Sequence, residues 1–302
     1  DTLMDYVICL LHFDVKAQEN HLWMDGNGFP EGVLLYGPPG VGKTYTVKAI
    51  LNHFLEMAQA KGLPAQAVAL DGHNINSVYQ NRAGTLLEHY FGMIRKGDRI
   101  RAVMLDEFDD LIPMGSDGNL SENARQRLSA FKRSTGNSDS LGNALLFAIA
   151  NRISKKKDIP TEVTDRFIPL YVPGPQTPGE YGRIIRLGLQ VKESKGLVDP
   201  NISWENVGSY VMSWKEKLEQ YDDSDICIGR GYKIITQQLA ATTKRPKIEY
   251  ADHTLGKPAS YHAQFYKDEW LPVDEKNLIQ AIDKAMNLLI HSKTKNQPGR
   301  YI

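Results

Sequence analysis

The sequence predicts an α/β fold: a doubly wound parallel sheet over residues 1–174, then a small α-helical domain over residues 175–302. Three observations predict it. Val33-Leu34-Leu35-Tyr36, Ala102-Val103-Met104-Leu105 and Ala144-Leu145-Leu146-Phe147-Ala148-Ile149 are short, unbroken apolar runs, as expected of strands buried on both faces. Segments of helical period alternate with them, which places successive strands parallel. Past Pro173-Gly174-Pro175, only helical patterns remain.

Residues 1 to about 30 read as a helix and then a loop ending in Gly26-Asn27-Gly28-Phe29-Pro30. Val33–Tyr36 is the first strand. Thr44 to about Ala60 is a helix, with Val47, Ile50, Leu51, Phe54 and Leu55 on one face. Ala67–Leu70 is a short strand, followed by a polar turn. A second helix carries Leu86, Leu87, Tyr90, Phe91 and Ile94. Strands follow at Ala102–Leu105, Ala144–Ile149 and Pro169–Val172. In the second half, Thr177-Pro178-Gly179-Glu180 has the form of a capping box with proline at the first helical position. It opens a helix over about 178–194, with others expected at 203–219, 230–243 and 275–292, the last capped by Asp274. Residues 244–272 read as a long loop or hairpin, with a partner-binding surface as the alternative.

Lys+Arg and Asp+Glu both number 36, so the formal net charge is zero, without the basic excess typical of duplex-binding proteins. Cys9 and Cys227 are far apart and lack metal-ligand neighbours; they read as reduced thiols in a cytoplasmic setting. No apolar run approaches the roughly 18 residues that span a bilayer. The chain begins at Asp1, with no signal peptide in view.

The motif richest in chemistry is Gly37-Pro38-Pro39-Gly40-Val41-Gly42-Lys43-Thr44, which completes the pattern G-x-x-x-x-G-K-[ST]. A strand enters it and a helix leaves it, the context in which successive backbone N–H groups form a nest for phosphate. A chance Gly/Pro turn is the alternative, and eight positions and both flanks disfavour it. The pattern points to a nucleoside triphosphate held by this loop and the following Tyr45. Lys43 is expected to reach the β and γ phosphates, and the Thr44 hydroxyl to hold Mg2+.

Met104-Leu105-Asp106-Glu107 ends an apolar strand in two carboxylates. Asp106 is expected to fix the metal through water, and Glu107 to polarise the attacking water; the alternative is an acidic surface turn. Asp109 and Asp110 read as helix-start or solvated charges. Asn151, at the tip of the Ala144–Ile149 strand, is placed to orient the lytic water, although Asn is also common where a strand turns into a loop. Arg166 either reaches the phosphate bound by a neighbouring subunit or pairs with Asp165 or Asp158. Arg230, opening a helix of the second domain, is a candidate phosphate contact within its own subunit.

In this order, these elements resemble the AAA+ ATPases over nearly the whole chain. Asp106-Glu107, Asn151 and Asp165-Arg166 match that superfamily's Walker B, sensor 1 and arginine finger. Within it, the chain is similar to the pachytene checkpoint group, hexameric remodellers of HORMA-domain proteins. His73-Asn74-Ile75-Asn76-Ser77-Val78-Tyr79-Gln80-Asn81-Arg82-Ala83-Gly84 resembles the group's pore-loop region, Ile228-Gly229-Arg230 its sensor 2, and Pro298-Gly299-Arg300-Tyr301-Ile302 its ending. The resemblance makes Tyr79 the pore-loop aromatic, whose ring grips a polypeptide by apolar contact; taken alone, Tyr79 reads rather as an ordinary half-buried loop tyrosine. Only about 30 residues precede the phosphate loop, too few for the adaptor-binding domain of eukaryotic members. That short form is similar to bacterial members that act on HORMA proteins in antiphage signalling.

The expected activity is therefore ATP hydrolysis by a homo-hexamer that pulls a protein client through a central pore. The alternatives are a DNA-directed AAA+ ATPase of the clamp- or helicase-loader type, and an unfoldase feeding a protease. Zero net charge and the aromatic at position 79 disfavour the first. An ATP-gated scaffold without turnover is disfavoured by Glu107.

Overall fold

The computed structural model describes residues 2–22, 32–77, 83–112, 122–135, 142–151, 153, 159–219 and 273–294. The chain divides into two compact units, Asp1–Pro173 and Gly174–Ile302.

The first unit opens with α1 (Thr2–Leu10). Where the sequence suggested a loop, the chain forms a two-stranded antiparallel hairpin of β1 (Phe13–Asp14) and β2 (Glu19–Asn20). Asn20 fixes this hairpin: its buried amide donates to the carbonyls of Cys9 (3.0 Å) and Gly142 (3.1 Å). The main sheet follows, built from β3 (Gly32–Tyr36), β4 (Ala65–Asp71), β5 (Ile100–Asp106), β6 (Ala144–Ile149) and β7 (Phe167–Tyr171). All its pairings are parallel, in the order β4-β5-β6-β3-β7. The first main strand thus lies between two later ones. This is the crossover arrangement of a doubly wound sheet, in which ligands bind beyond the carboxyl ends of the strands.

Alternation within the strands divides the core in two. Val33, Leu35, Ala102 and Met104 face a cluster with Val47, Leu51 and Phe54 of α2 (Lys43–Ala60) and Val7 and Leu10 of α1. Leu34, Tyr36, Val103 and Leu105 face the opposite cluster, with Leu87, Phe91 and Ile94 of α4 (Ala83–Ile94) and Phe131 of α6 (Glu122–Ser134). Among the described residues the unit also has three short helices: α3 (Gly72–Ser77), α5 (Phe108–Leu111) and α7 (Thr161–Thr164). The expected polar turn after the second sheet strand is α3. The last strand begins two residues earlier than expected, because Phe167 is buried and pairs with Gly32.

In the second unit the described helices are α8 (Pro178–Ser194), α9 (Trp204–Glu219) and α10 (Glu275–Thr294). The expected capping box is present: Glu180 N–H donates to Thr177 Oγ1, and the Glu180 carboxylate accepts from Thr177 N–H, both at 3.3 Å. Asp274 accepts from the Asn277 N–H at 2.7 Å at the start of α10. Asp283 of α10 accepts hydrogen bonds from Tyr210 (2.5 Å) and Trp214 (3.2 Å) of α9, tying the two helices together. A single parallel bridge joins Val198 and Val273. The helix expected at 230–243 and the loop at 244–272 lie outside the described residues, as does Cys227; Cys9 is a free, half-buried thiol. No helix among the described residues is long and apolar enough to cross a membrane.

Candidate active site

Gly37 follows β3 directly; its backbone turns at φ +138°, and a Cβ there would stand 2.4 Å from the Val172 carbonyl oxygen. No side chain fits that approach, and the tight turn it permits starts the phosphate loop. Gly42 adopts φ +93° as the N-cap of α2 and offers no side-chain cap. The first-turn N–H groups of this helix are therefore left to an anion, and the partial positive charge of the helix start adds to the attraction.

Lys43 is 3% exposed, and its ammonium donates to the carbonyls of Gly37 and Pro38, both at 2.8 Å. The lysine is thus folded into its own loop. Burial pushes its pKa down to about 8, against the upward pull of Asp109 and then Asp106. Thr44 Oγ1 donates to Asp106 Oδ1 at 3.3 Å, joining the helix start to the end of β5. A hydroxyl and a carboxylate beside a phosphate loop are hard oxygen donors of the kind Mg2+ takes when it arrives with phosphates, so the residues present fit that ion. Tyr45 is 81% exposed, with its ring in solvent.

Glu107 is held by the turn rather than by a side-chain partner. Its N–H donates to Asp106 Oδ1 at 3.0 Å, and its backbone is left-handed at φ +51°. For a non-glycine residue this conformation costs about 1–2 kcal/mol. Close packing imposes it: a Cβ on Gly72 would lie 2.4 Å from the Glu107 carbonyl oxygen. The start of α3 is fixed there by Asp71, which accepts the N–H groups of His73 (2.9 Å) and Asn74 (3.4 Å). The Glu107 carboxyl is exposed, yet its pKa is raised, first by desolvation and then by the charges of Asp71 and Asp110; His73 partly offsets them. Donor atoms of His73, Glu107 and Asp110 all lie within 4.8 Å of one another.

Asn151 follows β6 at the same end of the sheet. Ala150 N–H donates to the Leu35 carbonyl (2.9 Å), and Asn151 N–H to Asp109 Oδ2 (3.1 Å). Asp109 is therefore not the solvated charge its sequence context suggested. Nothing in the sequence signalled its partner, which is 42 residues away. Gly72, His73 and Asp71 were equally invisible as neighbours of Glu107, because strand register alone sets Asp71 opposite Asp106.

Arg166 is not brought to this end. It precedes Phe167, the first residue of β7, which pairs with Gly32 at the entry of β3. Five residues of strand, roughly 16 Å, separate the two ends. Its Nη1 donates to the Glu162 carbonyl at 2.9 Å, and its buried Nε has no hydrogen-bond partner. Among the described residues it forms no ion pair with Asp165. Asp158, Tyr79 and Arg230 lie outside the described residues.

Residues 33–172 match the family described as "ATPase family associated with various cellular activities (AAA)". Over 113 residues, 36% of this chain, the sequence is 29% identical to a pachytene checkpoint protein 2 homolog of Sus scrofa. Over 144 residues, 47% of the chain, it is 28% identical to an "AAA ATPase forming ring-shaped complexes" of Bifidobacterium animalis subsp. lactis. Over 168 residues, 55% of the chain, it is 26% identical to a cell division cycle protein 48 homolog of Archaeoglobus fulgidus. The matches cover 25%, 25% and 19% of these relatives' own lengths, so the chain spans a quarter or less of each.

Proposed function

We propose, from the premise that residues 33–172 form an AAA ATPase domain, that the protein hydrolyses ATP within a homo-oligomeric ring and uses the energy to pull on a protein client. The observation that carries this reading is the division of the site. Lys43, Thr44, Asp106, Glu107 and Asn151 gather at one end of the sheet, and Arg166 stands at the other. An arginine so placed serves a nucleotide on another subunit more readily than its own. A relative whose name states that it forms ring-shaped complexes supports such an assembly.

In this reading the phosphate loop, from Gly37 through Pro38, Pro39, Gly40 and Val41 to Gly42, wraps the triphosphate. Lys43 exchanges the Gly37 and Pro38 carbonyls for phosphate oxygens. Thr44 and Asp106 would hold Mg2+, and the ion would neutralise the growing charge on the phosphates. Glu107 takes the proton of the attacking water and Asn151 orients that water. Arg166 stabilises transferring charge in the adjacent subunit, and Arg230 reports nucleotide state to the helical lid. Hydrolysis moves Tyr79, which drags on the client. Six subunits and a HORMA-domain client, in an antiphage setting, follow from the likeness to the pachytene checkpoint group, and a cytoplasmic location from reading Cys9 and Cys227 as reduced thiols.

The test is client conversion by Tyr79→Ala. Remodelling of a candidate HORMA protein falls at least about tenfold while ATP turnover stays within about twofold, because only grip is removed. Unchanged remodelling sinks the traction model. Hydrolysis stimulated by DNA and weakened steeply by salt would favour the loader reading instead.

The buried lysine adds a pH signature. Its folded pKa of about 8 lies below the ordinary 10.5, so between these values the unfolded chain binds the proton more tightly. Through Lys43, the free protein therefore gains stability as pH rises across that window. ATP needs the charged lysine, so affinity falls as pH climbs past about 8 and binding takes up a proton. Calorimetry at about pH 8.5, in two buffers of different ionisation enthalpy, should show uptake of most of one proton. A buffer-independent heat contradicts this.

A further inference from the structure

We infer that Asp109 is a positioning residue that holds Asn151 in register with Glu107; the inference rests on the ATPase reading above. Asp109 lies in the first turn of α5, three residues beyond Asp106. Its Oδ2 accepts the main-chain N–H of Asn151 at 3.1 Å, across 42 residues of chain and in a half-buried setting. This bond spans from the helix after β5 to the turn after β6, two strands that are direct neighbours in the sheet.

Among the described residues, Asp109 is the acceptor of the Asn151 main-chain N–H. Its predecessor Ala150 is tied to Leu35 of β3 at 2.9 Å, which sets where β6 ends. Beyond that point the ladder stops, and the direction of the chain at Asn151 depends on what receives its N–H. A carboxylate is a stronger acceptor than a carbonyl, and burial strengthens it further. The helix carrying that carboxylate is anchored from below: Phe108 and Leu111 on either side of the Asp pair are fully buried. The rigid body that sets Glu107 therefore also sets Asn151. The same carboxylate bears on Lys43 more strongly than Asp106 does, so one side chain touches the surroundings of three candidate ATPase residues.

The role differs from that of Asp110, its neighbour, whose Oδ2 lies 3.8 Å from His73 Nδ1 on the exposed flank of the site. Asp109 points inward to the sheet, Asp110 outward to α3. The water-orienting side chain of Asn151 tolerates little displacement, since misplacing a catalytic group by an ångström costs large factors in rate. Loss of the Asp109 acceptor thus acts on turnover, whereas loss of its charge, which the Ala and Asn variants share, acts on Lys43.

The experiment compares Asp109→Ala with Asp109→Asn by steady-state ATP turnover and by amide hydrogen exchange at Asn151. Asn keeps an oxygen that accepts the same N–H; Ala does not. For Asp109→Ala, kcat is expected to fall by about tenfold to a hundredfold, with KM for ATP within about threefold and faster exchange at Asn151. Asp109→Asn restores both kcat and protection. Wild-type turnover in Asp109→Ala overturns the inference. So does an Asp109→Asn variant as slow as Asp109→Ala with Asn151 still protected, which would assign the effect to charge on Lys43. Should Asp109→Ala fail to fold, Asp109→Asn decides alone: retained turnover and protection support the clamp, and loss of either overturns it. If the wild-type protein releases no phosphate, the ATPase reading fails, and exchange at Asn151 still decides whether Asp109 holds it.

Discussion

Glu107→Gln abolishes ATP turnover and leaves ATP binding intact. The amide preserves the size and shape of the side chain and the left-handed turn imposed by Gly72, but it takes no proton from water. The pKa of Glu107 is raised first by desolvation and then by the charges of Asp71 and Asp110. Such a group is a better base than an ordinary surface glutamate, and more is lost when it goes. A fall in kcat of about 10²–10⁴ is expected, with nucleotide affinity changed by less than about threefold, since Lys43 and Thr44 still hold the phosphates. Phosphate release and a fluorescent-nucleotide titration measure the two quantities. Turnover retained within tenfold would remove Glu107 from its role.

Phe131→Ala is expected to cost about 3–5 kcal/mol of stability. Phe131 is fully buried and packs against three other aromatic rings. Its ring centroid lies 5.5 Å from Phe108 and 5.8 Å from Phe167, and edge-on to Phe91 at 6.4 Å. Phe108 follows Glu107 in the chain and Phe167 follows Arg166. The cavity therefore opens beneath the Glu107 turn and beneath Arg166 together, and the surrounding strands can only partly close it. Urea denaturation measures the loss; Phe131→Leu should recover most of it, because volume is largely kept. A change below 1 kcal/mol for the alanine variant would show that this cluster does not hold the two regions in place.

What the sequence made legible followed from how completely each element is buried. β3, β5 and β6 are covered on both faces and read directly as apolar runs; α2 and α4 carry long apolar faces. The phosphate loop, Asp106 and Glu107 could be located because their spacing is itself the chemistry. Elements held by tertiary polar contacts escaped. β1 and β2 have two residues each, too few for any period to register, and Asn20 fixes them through carbonyls far along the chain. β5 starts at Ile100 because Arg101 is buried, its guanidinium spent on the carbonyls of Ile94 and Lys96 and on Asp98. A lone charge before an apolar run otherwise looks like the strand's boundary. α6 went unmarked because its charged residues outnumber the few, among them Leu128, Ala130 and Phe131, that meet the core. The short helix α3 reads as a polar turn and exists because Asp71 caps it and Ile75 is buried. In the site, the same rule separates Asp106 from Asp109: one belongs to a motif, the other gains its role only when two distant strands lie side by side.

In the proposed ring, each nucleotide site is completed by Arg166 of an adjacent subunit. Mixing Glu107→Gln chains with Arg166→Ala chains tests it most directly. Each variant alone is expected to release phosphate at background rate, because one lacks the base and the other the arginine. In mixed rings the first supplies Arg166 to the second's intact Glu107, and phosphate release should return to a substantial fraction of the wild-type rate. Background turnover at every mixing ratio, with mixed assemblies present, would contradict the account.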